Sequence, residues 1–314
     1  MKRIASSINY ISYKLSRKKT VVGALITLAL LSWVAVFANA KNSELEVRFF
    51  DVGQGDAIFI ELPDGRQILI DGGPDSKVVE KLNSAMPFWD REIDIIIATH
   101  ADADHITGLV PVLAHYDADL IIWNGIEANT EIFKEWKEAV AEEGAEVLIA
   151  EYGTRINFSE IAFFEILWPP LRSSSSPPSS ADRRTSEGRG AGQAPPEINT
   201  SQNDFSIVIR FVYGEDSFLF TGDIERQSEY EVVQKNLNIE SDILKIAHHG
   251  SKTSSSELFL EKVNPKIAII SVGKNNSYGH PYQAVLGRLE KYGIFIRRTD
   301  NEGDIIVSSN GDSL

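Results

Sequence analysis

The chain has 314 residues, 43% hydrophobic and 9% aromatic, which excludes a wholly disordered polymer and suffices for one large domain or two small ones. It has no cysteine, which excludes a disulfide framework and any thiolate metal site, so a metal could be held only by His, Asp and Glu. Residues 41–314 carry 25 basic against 45 acidic side chains, a net charge of −20 that repels polyanions at long range and argues against a basic nucleic-acid track.

The N-terminus is the exception to this acidity. Lys2, Arg3, Lys14, Arg17, Lys18 and Lys19 fall in residues 1–40 with no acid among them. Val21–Ala38 then runs for eighteen residues without a charge, near the lower limit for crossing a bilayer. Basic flanks stay cytoplasmic, so residues 1–40 predict a cytoplasmic tail and a single transmembrane anchor, with an extracytoplasmic body. The alternative is a signal peptide cleaved near Ala40, since Ala38-Asn39-Ala40 fits the small-residue pattern and would leave a secreted protein. The length of the apolar stretch favours the anchor.

From Leu45 onward, short apolar runs alternate with turns. Leu45–Phe50, Ala57–Leu62 and Gln67–Ile70 predict three strands, joined by Asp51–Asp56 and by Pro63-Asp64-Gly65. Gly53 and Gly55 in the first connection superficially suggest a phosphate loop, but no helix follows, and a tight hairpin turn is the better reading. Further strands are predicted at Ile93–Ala98, Leu120–Trp123, Glu146–Ala150, Ile161–Trp168, Phe205–Tyr213, Ser217–Thr221, Asp242–Ala247, Lys266–Ser271, Ile294–Arg298 and Asp304–Ser308. Helical periodicity falls near Lys77–Ser84, Thr130–Glu143, Glu225–Asn236, Ser255–Val263 and Tyr282–Lys291. Early hairpins followed by alternating strands and helices predict a layered α/β protein.

Residues 171–200 differ in kind, being rich in Ser, Pro, Gly and Arg and nearly devoid of apolar side chains. They predict a disordered insertion within a single domain over 41–314, because candidate ligands lie on both sides. Arg183, Arg184 and Arg189 form the one local cationic cluster of the body, on a loop expected to be solvated.

His100-Ala101-Asp102-Ala103-Asp104-His105 packs four potential ligands into six residues, directly after the strand at Ile93–Ala98 and ahead of a helix beginning near Ile106. Other strand ends repeat the theme: Asp71 before Gly72-Gly73, Asp223 after Thr221-Gly222, the pair His248-His249 before Gly250-Ser251, and His280 before Pro281. Of the six histidines only His115 lies elsewhere. Buried charges without partners cost several kcal/mol, so a cluster of this kind implies a cation.

In this order the motifs resemble the metallo-β-lactamase fold. Phe50-Asp51-Val52-Gly53-Gln54-Gly55-Asp56-Ala57 and Thr99–Gly108 narrow the resemblance to the hydrolase-like domain of ComEC-type competence (DNA-uptake) proteins, over roughly residues 45–310. The resemblance implies a four-layer αββα sandwich with one or two divalent metal ions, Zn or Mn, at one edge. Carried across, His100 and Asp102 would bind one ion, Asp104 and His105 the other, and Asp223 would bridge them. His248 would complete the second sphere, or His249 in its place. Asp71 would brace the site by hydrogen bonds. A histidine often found ahead of the bridging Asp is missing, and Asn203-Asp204-Phe205-Ser206 stands there. Asp104 would also position a metal-activated water, and His280 would contact substrate or move a proton.

The function expected on this basis is a metal-dependent phosphodiesterase or nuclease, with a phosphoester as substrate and single-stranded DNA among the candidates. Two alternatives stand beside it: a hydrolase of a lactone, β-lactam or cell-wall phosphoester, and a non-catalytic binding protein on the same fold. With a single expected span at residues 21–38, transport would need a partner channel protein.

Overall fold

A computed structural model describes residues 18–33, 44–169 and 202–313. Residues 18–33 form a helix, α1, with exposed apolar side chains such as Leu25 and Leu28. Among the described residues no helix is long and apolar enough to cross a membrane. Much of the expected anchor at 21–38 is therefore described, but its last five positions are not. The basic tail before Lys18, the candidate cleavage site at Ala38–Ala40 and the insertion at 171–200 also lie outside the described residues.

The body is built on two seven-stranded sheets. The first takes β1 (Leu45–Phe49), β2 (Ile58–Glu61), β3 (Gln67–Ile70), β4 (Glu92–Ala98), β5 (Asp117–Trp123) and β6 (Glu146–Ile149). The second takes β7 (Arg155–Asn157), β8 (Ala162–Trp168), β9 (Val208–Tyr213), β10 (Asp216–Phe220), β11 (Ile243–Lys245), β12 (Ile267–Ile270) and β13 (Phe295–Arg298). The last strand, β14 (Ile305–Ser309), returns to pair with β1, giving the orders β14-β1-β2-β3-β4-β5-β6 and β13-β12-β11-β10-β9-β8-β7. In each sheet an antiparallel half gives way to a parallel half, at β3–β4 and at β10–β11.

Alternation along the strands sorts side chains into layers. Ile58, Ile60, Ile95 and Ile97 of the first sheet meet Phe164, Phe211, Phe218 and Phe220 of the second in a core between the sheets. Their neighbours Phe59, Leu69 and Ile96 face outward, against Leu82 of α2 (Lys77–Ala85), Ile106 of α3 (Ala103–Ile106), Leu109 of α4 (Leu109–Leu113) and Trp136 of α5 (Glu131–Glu143). On the other side, Leu219, Leu244 and Ile270 pack on Val232 of α6 (Arg226–Gln234), Phe259 of α7 (Glu257–Val263) and Leu289 of α8 (Gln283–Lys291). The result is the expected αββα sandwich. Strands buried on both faces explain why β4 reads as a nearly unbroken isoleucine run.

Three local expectations need correction. Phe205 lies in a 3-10 turn, Gln202–Phe205, and β9 starts only at Val208. The helix expected from Ile106 begins at Ala103, so Asp104 and His105 occupy its first turn. The three-residue edge strand β7 and the four-residue α9 (Thr299–Glu302) are too short to show a period.

Candidate metal centre

The chain leaves β3, β4, β10, β11 and β12 into loops that carry Asp71, His100–His105, Asp223, His248-His249 and His280. Close backbone packing locks these loops together. The amide of Gly72 donates to the His105 carbonyl at 2.7 Å, and that of Gly108 to the Gly73 carbonyl at 3.0 Å. A Cβ on Gly108 would lie 1.9 Å from the Gly72 carbonyl oxygen, so only glycine fits there. Gly55 plays the same part for the opening hairpin: its φ is +142°, and a Cβ there would meet the Asp104 carbonyl oxygen at 2.2 Å. The hairpin signature thus supports the loop that carries the ligand candidates.

Three imidazoles point one nitrogen each into a common space. His100 Nδ1 lies 3.0 Å from the Thr99 hydroxyl, His105 Nδ1 lies 2.8 Å from Asp71 Oδ2, and His249 Nδ1 lies 2.9 Å from the Ser271 carbonyl. Their Nε2 atoms are buried without a hydrogen-bond partner, and so is Asp223 Oδ1. His105 Nε2 and His249 Nε2 stand 3.4 and 3.5 Å from Asp223 Oδ2, and His249 Nε2 stands 3.3 Å from Asp104 Oδ2. Two overlapping sets, His100–His105–Asp223 and Asp104–His105–His249, each keep their ligand atoms within 4.8 Å of one another. Buried polar atoms with no partner are rare, and a set of lone pairs aimed at one point suits a divalent cation.

Asp71 anchors the arrangement from behind. Its carboxylate takes the Thr99 amide at 2.8 Å and the Thr99 hydroxyl at 2.7 Å, besides His105. Asp71, His248 and His249 all have φ between 51° and 58°, in the left-handed region that side chains with a Cβ avoid. Strain at three such positions in one site is held by the packing around it.

The charges reflect an acid-rich cage. Burial lowers His100 to about 3, and the neighbouring His105 pushes the same way, so its ring is a neutral lone-pair donor. Burial also disfavours charge on His249, but Asp223 and Asp56 outweigh it and raise the ring to about 10. His105 rises well above 6.5 for the same reason, with Asp223 and Asp71 overcoming burial. Two protons in the cage thus balance its carboxylates where a cation could do so instead.

The structure separates the His248-His249 pair. His249 is buried at 1% exposure and belongs to the cage. The His248 side chain is 24% exposed, with Nε2 3.9 Å from Asp223 Oδ2 and Nδ1 3.3 Å from Glu225 Oε1, which puts it at the rim. Asp102 caps α3 with its side chain 45% exposed, its Oδ2 3.7 Å from His100 Nε2. His280 is also a rim residue. Its ring centroid lies 5.6 Å from that of His248, burial and the His249 charge lower it to about 4, and Asn276 clasps its backbone at both N and O. Asn203 sits in the 3-10 turn, where its carbonyl accepts from the Ser206 amide; the Ser206 hydroxyl in turn accepts from the Asp223 amide at 3.1 Å. That segment supports the Asp223 loop and presents no imidazole.

Sequence reasoning overlooked Asp56 and Lys245. They form a fully buried ion pair beneath the cage, and Asp56 Oδ1 lies 3.4 Å from His249 Nδ1. A lysine inside the otherwise apolar run Ile243–Ala247 was the available signal, because such a charge is buried only with a partner.

A two-sheet αββα sandwich with a His/Asp cage at one sheet edge defines a metallohydrolase-type architecture. The chain belongs to the metallo-β-lactamase superfamily, whose family model matches residues 50–274. It is 34% identical over 282 residues to ComE operon protein 3 of Bacillus subtilis, an alignment covering 84% of this chain and 33% of that protein. Competence protein ComA of Neisseria gonorrhoeae is 30% identical over 267 residues, covering 83% of this chain and 32% of that one. The chain therefore spans about a third of the length of these relatives. Among solved structures, the diiron β-hydroxylase CmlA of Streptomyces venezuelae shares the fold at 12% identity and a TM-score of 0.50, over 84% of this chain and 54% of that one.

Proposed function

We propose that this protein is a metal-dependent phosphodiesterase of ComEC-like type, acting on a phosphoester substrate that includes single-stranded DNA. The observation that carries the reading is the convergence of three partnerless Nε2 atoms on the Asp223 carboxylate, in a chain similar to competence proteins. His100, His105, His249, Asp104 and Asp223 would hold the metal, with Asp102 closing over it from the first turn of α3. Two ions fit the two overlapping ligand sets, and the mixture of imidazole and carboxylate suits Zn or Mn. When bound, divalent ions supply a water of lowered pKa and a Lewis acid for the phosphoryl oxygens.

The chain's own residues prepare that chemistry. Asp71, Thr99 and Ser271 fix the imidazoles so that Nε2 faces the cage. Asp104, held well below the usual carboxylate range once His249 and His105 overcome its burial, is an ionised acceptor that can orient a water. Neutral His280 at the rim can accept a proton or contact the leaving group. We further propose that residues 21–38 anchor the body outside the cytoplasm and that a partner channel protein carries any translocated strand.

The test is a panel of bis-p-nitrophenyl phosphate, single-stranded DNA and nitrocefin, each with Mn or Zn. Phosphodiester cleavage that vanishes in Asp223→Ala supports the reading. Cleavage of nitrocefin alone would replace it with a β-lactam hydrolase.

A further inference from the structure

Beside the rim, a cleft of about 500 Å³ is lined by Asp204, Glu225, Arg226, Gln227, Lys252 and Thr253. It adjoins the metal centre through Glu225, whose Oε1 faces His248 Nδ1 at 3.3 Å and accepts from the Thr253 hydroxyl at 3.0 Å. The other acid is also engaged, since Asp204 Oδ1 accepts from the Ser228 hydroxyl at 3.0 Å. The two cations are not: among the described residues no carboxylate lies within 4.0 Å of Arg226 or Lys252. Arg226 gives one guanidinium N–H to the Lys252 carbonyl, which ties the two together.

A line of rings leads from this cleft past the metal centre. Lys252 Nζ lies 5.7 Å from the Tyr282 ring, Tyr282 5.5 Å from His280, and His280 5.8 Å from Tyr278 at a stacked 25°. Tyr278 ends the line at 63% exposure. Unpaired Arg and Lys suit phosphate, the cleft volume suits a nucleotide-sized unit, and an exposed ring stacked on one side suits a base on the other.

We propose that a single-stranded polynucleotide crosses the rim, with one of its phosphates bound between Arg226 and Lys252 and a base stacked on Tyr278. This rests on the phosphodiesterase reading and assigns the residues that select a polynucleotide over a small phosphoester. It also answers the objection raised by the net charge, because the cations are few but unpaired and local.

The test is anisotropy of a fluorescein-labelled oligothymidylate of about twelve nucleotides with the full chain in detergent, metal-loaded, over a range of salt. Arg226→Gln/Lys252→Gln should weaken binding about tenfold and make the salt dependence of log Kd shallower by about 1.4. Tyr278→Ala should weaken it about fivefold without changing the salt slope, and Tyr278→Phe should restore it. Lys134→Gln, which removes a cation of α5 paired with Glu131, serves as the control for general charge. Absent binding by the unaltered chain, or equal loss in the control, overturns the proposal. Hydrolysis of bis-p-nitrophenyl phosphate is followed separately: its absence with oligonucleotide binding intact defeats the enzymatic reading and leaves the track standing.

Discussion

Asp71 Oδ2 lies 2.8 Å from His105 Nδ1, and through that contact a carboxylate outside the cage decides which nitrogen faces a metal. With the proton held on Nδ1, His105 Nε2 is left as a lone pair beside Asp223. Asp71→Asn keeps the volume but removes the charge, and should lower metal affinity by about ten- to a hundredfold. Competition against a chromophoric chelator measures it; unchanged affinity would mean that Asp71 serves the backbone alone.

His249 and His248 are neighbours with different expected fates. His249→Ala should lose most of the metal that Asp104 and His105 help to hold, whereas His248→Ala should keep it. Metal content per chain distinguishes them, and the reverse pattern would exchange their roles.

The pH dependence has a definite sign. His249 titrates near 10 in the metal-free fold against 6.5 for a free ring. Its contribution to metal-free stability is therefore complete below about pH 6.5 and lost as pH rises through about 10. His105 is raised as well, so metal uptake at neutral pH must expel protons. Calorimetry in buffers of different ionisation enthalpy should show proton release and an affinity that climbs with pH. PH-independent affinity between 6.5 and 8.5 would contradict this.

The buried pair beneath the cage should matter for stability. Lys245→Met leaves Asp56 charged and uncompensated, and should destabilise the fold by about 3–5 kcal/mol. Adding Asp56→Leu should recover much of that loss in urea unfolding. Two additive losses would show that the pair is not coupled.

Much of this fold was legible because its strands are long apolar runs with turn residues between them, and the ligand candidates sit where those runs stop. His100, His105 and Asp223 could be found that way. The choice between His248 and His249 could not, because two successive left-handed residues turn one ring into the cage and the other to the rim, and no period encodes that. Asp56 was hidden for a related reason. It lies in a hairpin that looks like a simple turn, and its partner Lys245 is 189 residues away. The Arg226–Lys252 cleft joins the start of α6 to the loop after His249, a juxtaposition that only the packing of the second sheet creates.

The central claim is that the His/Asp cage is a metal site. Elemental analysis of the full chain after loading with Mn or Zn and exhaustive dialysis tests it most directly. One to two ions per chain, falling to near none in Asp223→Ala while the fold is kept, is the expected result. A correctly folded chain that emerges free of metal would contradict it.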